Sequence, residues 1–194
     1  MTTDTNGYTL GSNQPLHHTR ILWDYVDGVA SSNAGGTPSN AQNNYAHQRW
    51  TSTNDPGSTS QYWILSNGST QFEFDTIVLA AHNARTIGAT LQVWTAPEVS
   101  SPFTWTLRRS FDPSDDRAIG IMMNDSGSPY EVGAVRVGCA SGGADGNLSI
   151  GVIRVGIALQ MTKPLPQGAQ PIGLREIKEV SPHKSETGVP PSGS

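Results

Sequence analysis

The residues of this 194-residue chain that could do chemistry are five histidines, a knot of carboxylates, one cysteine and five tryptophans. No two of the histidines (His17, His18, His47, His82 and His183) stand at the i,i+4 spacing of a zinc site, and a lone cysteine makes no C-x-x-C. His82 follows an apolar run, where an imidazole ordinarily bonds a turn carbonyl. Asp112, Asp115 and Asp116 cluster, with Asp125 close in sequence. Oxygen-rich loops bind calcium, but the EF-hand spacing and its bidentate Glu are absent, and an Asx turn at Asp112-Pro113 accounts for the cluster more simply. The same carboxylates would make a glycosidase pair only at a fixed separation and with one pKa raised, and the sequence fixes neither. G-x-S-x-G, H-E-x-x-H and P-loop motifs are missing. The expectation is no catalysis, no cofactor and no metal.

Cys139 lies in an alternating run, Val135-Arg-Val-Gly-Cys-Ala, that points it toward a core, so a buried inert thiol is expected rather than a nucleophile. The tryptophans are Trp23, Trp50, Trp63, Trp94 and Trp105. An indole anchors a core or a subunit interface, or, left in the open, stacks on the apolar face of a sugar ring. Trp94 is singled out by parity. Ala89, Leu91 and Val93 share one face of a strand, while Thr90, Gln92 and Trp94 share the other. It is the candidate interface or ligand aromatic.

These residues need strands to position them. Phe72 to Trp94 holds two β-rich runs, Phe72–Ala81 and Ala89–Trp94, around a polar turn, and predicts a strand pair with one half-buried face. Further strands are expected at Arg20–Asp27, Tyr62–Leu65, Phe103–Arg108, Ala118–Met123, Glu131–Ala140 and Leu148–Met161. Asn67-Gly68 reads as a hairpin turn, and Gly28–Asn44 as a long surface loop. Gly151 and Gly156 mark a bulge or a close backbone approach in the last strand. Eight or nine strands with turns every 8–14 residues, and no amphipathic helix, favour an all-β jelly-roll or β-sandwich.

Composition agrees. Hydrophobic residues make up 35% and charged residues 14%, with 21 Gly and 13 Pro, which suits short strands and many turns. The net charge of −4 offers no basic footprint for nucleic acid and no polybasic membrane patch. No apolar run approaches the ~18 residues of a membrane span, and the first residues lack the basic and apolar regions of a secretory signal. The expected organisation is an N-terminal arm (1–19), a β-sandwich domain (20–161) and a Pro-rich C-terminal arm (162–194). Pro164, Pro166, Pro171, Pro182, Pro190 and Pro191 prevent a continuous ladder in the last segment. Its Ile172, Leu174, Ile177 and Val180 are too apolar for a plain linker and predict an assembly arm that orders against a neighbour.

Four places resemble a family of bacteriophage virion proteins with a galactose-binding-like jelly roll. They are Ile21-Leu-Trp-Asp-Tyr-Val-Asp-Gly28, Arg49-Trp50 after the Ser/Asn/Ala/Gly-rich loop, the stretch Asp75–Trp94, and Val155–Met161 followed by the Pro-rich tail with Ser181–Gly188. The chain departs from the family's pattern after Gly188, where it ends in Val189-Pro-Pro-Ser-Gly-Ser. The resemblance implies a non-enzymatic structural component of a phage particle, in the tail, assembled in the host bacterial cytoplasm. Its partners would be copies of itself and other virion proteins. The alternative is a carbohydrate-binding module that attaches to a host-surface glycan. Fold alone does not decide between them.

Overall fold

Alternation of apolar and polar residues, with few helix-forming stretches, yields a sandwich of two sheets. A computed structural model describes Thr2–Asp4 and residues 20–160. The strands are β1 (Thr2–Asp4), β2 (Arg20–Tyr25), β3 (Val29–Ser32), β4 (Trp50–Thr51), β5 (Gln61–Ser66), β6 (Phe72–Phe74), β7 (Thr76–His82), β8 (Leu91–Ala96), β9 (Thr106–Phe111), β10 (Ile119–Met122), β11 (Tyr130–Val132), β12 (Ala134–Cys139) and β13 (Ser149–Gln160). A short 3-10 turn, Pro38–Gln42, is the helical element among the described residues. One sheet runs β1-β10-β7-β13-β2, with β4 also on β13; the other runs β3-β5-β12-β8-β9; β6 and β11 form a separate ribbon. Pairing is antiparallel except for β1, which lies parallel to β10.

The core fills the space between the sheets. Ile77 and Leu79 of β7, Ile119 and Ile121 of β10, and Ile153 and Val155 of β13 face inward from one side. Trp63 and Leu65 of β5, Leu91 and Val93 of β8, and Val135, Val137 and Cys139 of β12 face them. Trp50 is fully buried as well, and its indole N–H donates to the Gly35 carbonyl at 2.9 Å, while Trp63 donates to the Pro38 carbonyl at 3.0 Å. Two of the five indoles therefore anchor the core, each with its one polar atom satisfied.

Several local expectations are corrected. The runs 72–81 and 89–94 do not pair: β7 and β8 lie in opposite sheets, and residues 83–90 cross between them. Both strands carry an apolar face, and each face is satisfied by packing across the core rather than by a shared ladder. The first run also breaks at Asp75 into β6 and β7. Asp75 is buried, accepts from the Thr76 hydroxyl and the Ala158 N–H at 2.9 Å each, and donates its own N–H to the Gly156 carbonyl. Asn67-Gly68 turns as expected, with φ of +77° at Gly68, but it joins β5 to β6, which belong to different sheets, so no hairpin results. The 28–44 loop contains an edge strand, β3, and the 3-10 turn. Phe103–Trp105 precede β9 instead of opening it. At Gly156 a close backbone approach is present: a Cβ there would lie 1.9 Å from the Asp24 carbonyl oxygen, and the β13–β2 register slips just beyond, between Ile157 and Ala158. Apart from Thr2–Asp4, the expected N-terminal arm, and all of the C-terminal arm with Ile172, Leu174, Ile177 and Val180, lie outside the described residues.

Candidate ligand-binding face

The outer face of the β3-β5-β12-β8-β9 sheet carries an aromatic cluster built by register. On β12, Arg136 is flanked by Ile64 of β5 and Trp94 of β8, and Gly138 is flanked by Tyr62 and Gln92. With no side chain at Gly138, the Tyr62 hydroxyl reaches across and donates to Gln92 Oε1 at 2.8 Å. The Trp94 indole N–H donates to the same oxygen at 3.2 Å. Gln92 thus fixes two rings with one acceptor. The segment between β8 and β9 then brings Trp105 over the cluster, with Phe103 tilted against it at 5.0 Å between ring centroids. Glu98 pins that segment by accepting the Thr104 N–H at 2.9 Å, a bond that also holds its carboxyl below the usual range.

Arg136 sits at the centre. Its guanidinium carbon lies 4.3 Å from the Tyr62 ring, 4.5 Å from Trp94 and 4.7 Å from Trp105. Each contact is a cation–π interaction, worth about 0.5–2 kcal/mol depending on desolvation. The Nε atom is buried and has no hydrogen-bond partner. Burial pulls the Arg136 pKa down and pushes that of the Tyr62 phenol up, the latter against the pull of the neighbouring cation. Trp94, Trp105 and Phe103 are each half-buried, so the rings present part of their faces to solvent. Such a face can stack on a ring and supply a charged donor. The carboxylate on its flanking segment, Glu98, is engaged by the Thr104 N–H.

The carboxylates singled out in the sequence serve a loop end instead. Asp112 accepts the Thr90 hydroxyl at 2.6 Å beside a shallow depression of about 210 Å³, lined by Arg85, Gly88, Ala89, Thr90, Asp112 and Pro113. Asp115 pairs with Arg117, whose hydrogen bonds lower its pKa. Asp116 accepts the Arg85 and Thr86 N–H groups and the Thr86 hydroxyl. Neither Asp115 nor Asp116 is a carboxyl held protonated, as a glycosidase acid must be. Among the described residues no three His, Cys, Asp or Glu side chains converge as metal ligands. Buried His82 places Nε2 2.8 Å from the Arg117 carbonyl and accepts the Ala84 N–H on Nδ1. The same Nδ1 lies 3.7 Å from an Asp116 carboxylate oxygen. Cys139 is buried, and burial raises its thiol to about 11. His47 packs by Tyr45, at 5.7 Å, on the surface.

Parity sets Trp94 opposite Leu91 and Val93, and Trp94 indeed shares the outer face with Gln92. Sequence reasoning missed Arg136 and Tyr62 and gave Trp105 no place beside Trp94. The same parity rule applied to residues 135–139 would have set Arg136 opposite Val135 and Val137. Only the strand order brings four separated residues around one point.

No protein-family model matches the chain, and no curated protein does. Solved structures match over the described fold. A selenomethionine-labelled point mutant of chitosan-binding module 1, from a chitosanase/glucanase of Paenibacillus sp. IK-5, is 17% identical, with a TM-score of 0.52 over 72% of this chain and 98% of that one. The CBM32 domain of AlyQ, in complex with 4,5-unsaturated mannuronic acid, is 15% identical, with a TM-score of 0.52 over 69% of this chain and 98% of that one. Chitosan-binding module 2 of the Paenibacillus enzyme, in complex with chitotriose, is 16% identical, with a TM-score of 0.52 over 68% and 97%. At these identities the likeness is one of fold: the chain is an all-β, galactose-binding-like jelly-roll sandwich whose structural neighbours are carbohydrate-binding modules.

Proposed function

We propose that this chain is a non-catalytic glycan-binding module and that the Trp94–Trp105 face is its binding surface. The observation that carries the reading is a pair of partly exposed indoles on a sheet face, held rigid by Gln92 and Arg136. Rigid aromatic platforms lose little entropy on binding and offer apolar area to the C–H face of a pyranose. The sandwiches of similar fold that hold chitotriose or a mannuronic acid lend support. The test is titration of the full chain with a panel of oligosaccharides, alongside Trp94→Ala and Trp105→Ala. Each substitution should weaken binding by about tenfold or more in a variant that circular dichroism and a cooperative thermal transition show to be folded. Failure of the wild type to bind any glycan, or unchanged binding by both variants, would overturn the reading.

A second reading, a structural component of a phage particle, follows from the sequence resemblance. One structural observation favours it. Ile21 of β2 and Leu159 of β13 are register partners that remain 47% and 51% exposed, and Tyr25 on the same strand is 54% exposed. β2 pairs only with β13 among the described residues, and an apolar edge strand is a natural place for another chain to add. The readings are compatible: a glycan-binding domain carried on a particle would attach it to a host surface.

A further inference from the structure

We propose that the Arg136 cage takes the carboxylate of an acidic sugar, so that the ligand of this face is a uronic-acid polysaccharide. The inference rests on the glycan-binding reading and narrows it to a chemical class. A cation partly withdrawn from water is ordinarily matched by a carboxylate. Arg136 forms no ion pair with any described carboxylate, and its Nε has no acceptor. The acceptor that ties the cage rings together, Gln92 Oε1, is already taken by Tyr62 and Trp94. Three ring faces compensate the charge from the sides; Nε is enclosed, while the terminal Nη1 and Nη2 are open to solvent and bond no described residue.

A carboxylate fits the Nη1/Nη2 end of the guanidinium. It accepts two parallel N–H bonds from a guanidinium fork and cancels its charge at once. Sugar hydroxyls also accept hydrogen bonds, but they would leave the charge uncompensated. On a pyranose uronate the carboxyl projects from the rim of the ring, so the ring face can lie on Trp94 or Trp105 while the carboxylate reaches Arg136. The chain as a whole carries a formal charge of −4, so a general attraction for polyanions does not explain such binding. The selectivity is local to the cage.

The experiment titrates the full chain with a uronate oligosaccharide, such as oligogalacturonate, and with the same oligomer after reduction of its carboxyl groups. The acidic form should bind at least about tenfold tighter, the scale of one charge-assisted hydrogen-bonded pair, and the difference should shrink as salt rises from about 50 to about 500 mM. Arg136→Gln should abolish the preference, the acidic oligomer then binding no tighter than the reduced one. Arg136→Lys, which keeps the charge and loses the fork, should restore only part of it. Circular dichroism and thermal melts of both variants establish that they are folded, and the wild-type comparison stands even if one is not. Equal binding of the acidic and reduced forms overturns the proposal and leaves the glycan-binding reading standing. Absence of binding to either, and to every neutral glycan, overturns both. Dextran sulfate binding as tightly as the uronate would reassign the cage to any anion. A concentration-dependent dimer that Arg136→Gln abolishes would assign it to another copy of the chain. Either result overturns the proposal.

Discussion

Asp116 is the clearest case of a residue that looks like chemistry and serves architecture. It gathers the Arg85 N–H at 2.7 Å, the Thr86 N–H at 3.3 Å and the Thr86 hydroxyl, closing the segment that carries the chain from β7 toward β8. Burial opposes its ionisation, but the Thr86 and Arg85 bonds and nearby His82 outweigh it and hold the carboxyl below the ordinary range. A depressed folded-state pKa contributes stability above the unfolded value, and the contribution is lost as pH falls through the folded value. Asp116→Ala should therefore cost about 1 kcal/mol near neutral pH, discounted for partial exposure, and progressively less below about pH 4. Urea melts at several pH values would read this directly, and a difference that does not change with pH would refute it. At this scale the sequence is legible in part. A cluster of carboxylates can be seen, but which N–H groups each one accepts depends on a loop 30 residues away. Trp94 has an outward parity that alternation reveals, whereas the cage around Arg136 needs a neighbour from each of β5 and β8 and from the segment before β9.

Strand β12 is the element on which the site depends, because it is central in its sheet and lies between both ring-bearing strands. Gly138 is its critical position. A Cβ there would fall 1.9 Å from the Gln61 carbonyl oxygen and 2.9 Å from the Tyr62 Cα, both backbone atoms that cannot turn aside. Gly138→Ala should destabilise the chain by about 2–3 kcal/mol by prising β5 from β12. It should also weaken glycan binding, since the Tyr62–Gln92 bond crosses over this residue. An unchanged denaturation midpoint would show that the strands can part at no cost. Glycine at 138 is readable as a small residue in a strand, but not as a point of contact. Alternation states which side a residue faces and is silent on which strand lies beside it. For the same reason β7 and β8, adjacent in sequence, read as partners and are not. β3 escapes notice because its Val-Ala-Ser-Ser has no core-facing run of large apolar residues, as suits a short edge.

For the whole molecule, turn spacing and Gly/Pro content are enough to indicate an all-β sandwich, because short strands of alternating polarity have few other ways to bury their apolar faces. The termini are a different matter. The described core extends from Ala34 to Val155, and β13 ends at Gln160. Ile172, Leu174, Ile177 and Val180 would be costly to leave in water, and the assembly-arm proposal has them pack on a neighbour. The half-exposed Ile21–Leu159 pair lies near the start of β2 and the end of β13, next to where the C-terminal segment departs. Deleting residues 162–194 should leave the sandwich folded, with a melting temperature close to that of the full chain and glycan binding unimpaired, because the Arg136 cage is built from the other sheet and the segment before β9. If the chain is a particle component, incorporation should fail in the same variant, since the segment's apolar residues would be what holds it to its neighbour. A truncated chain that unfolds would show that these residues complete the domain's own core, and a truncated chain that folds and still enters particles would place the assembly interface on the sandwich itself.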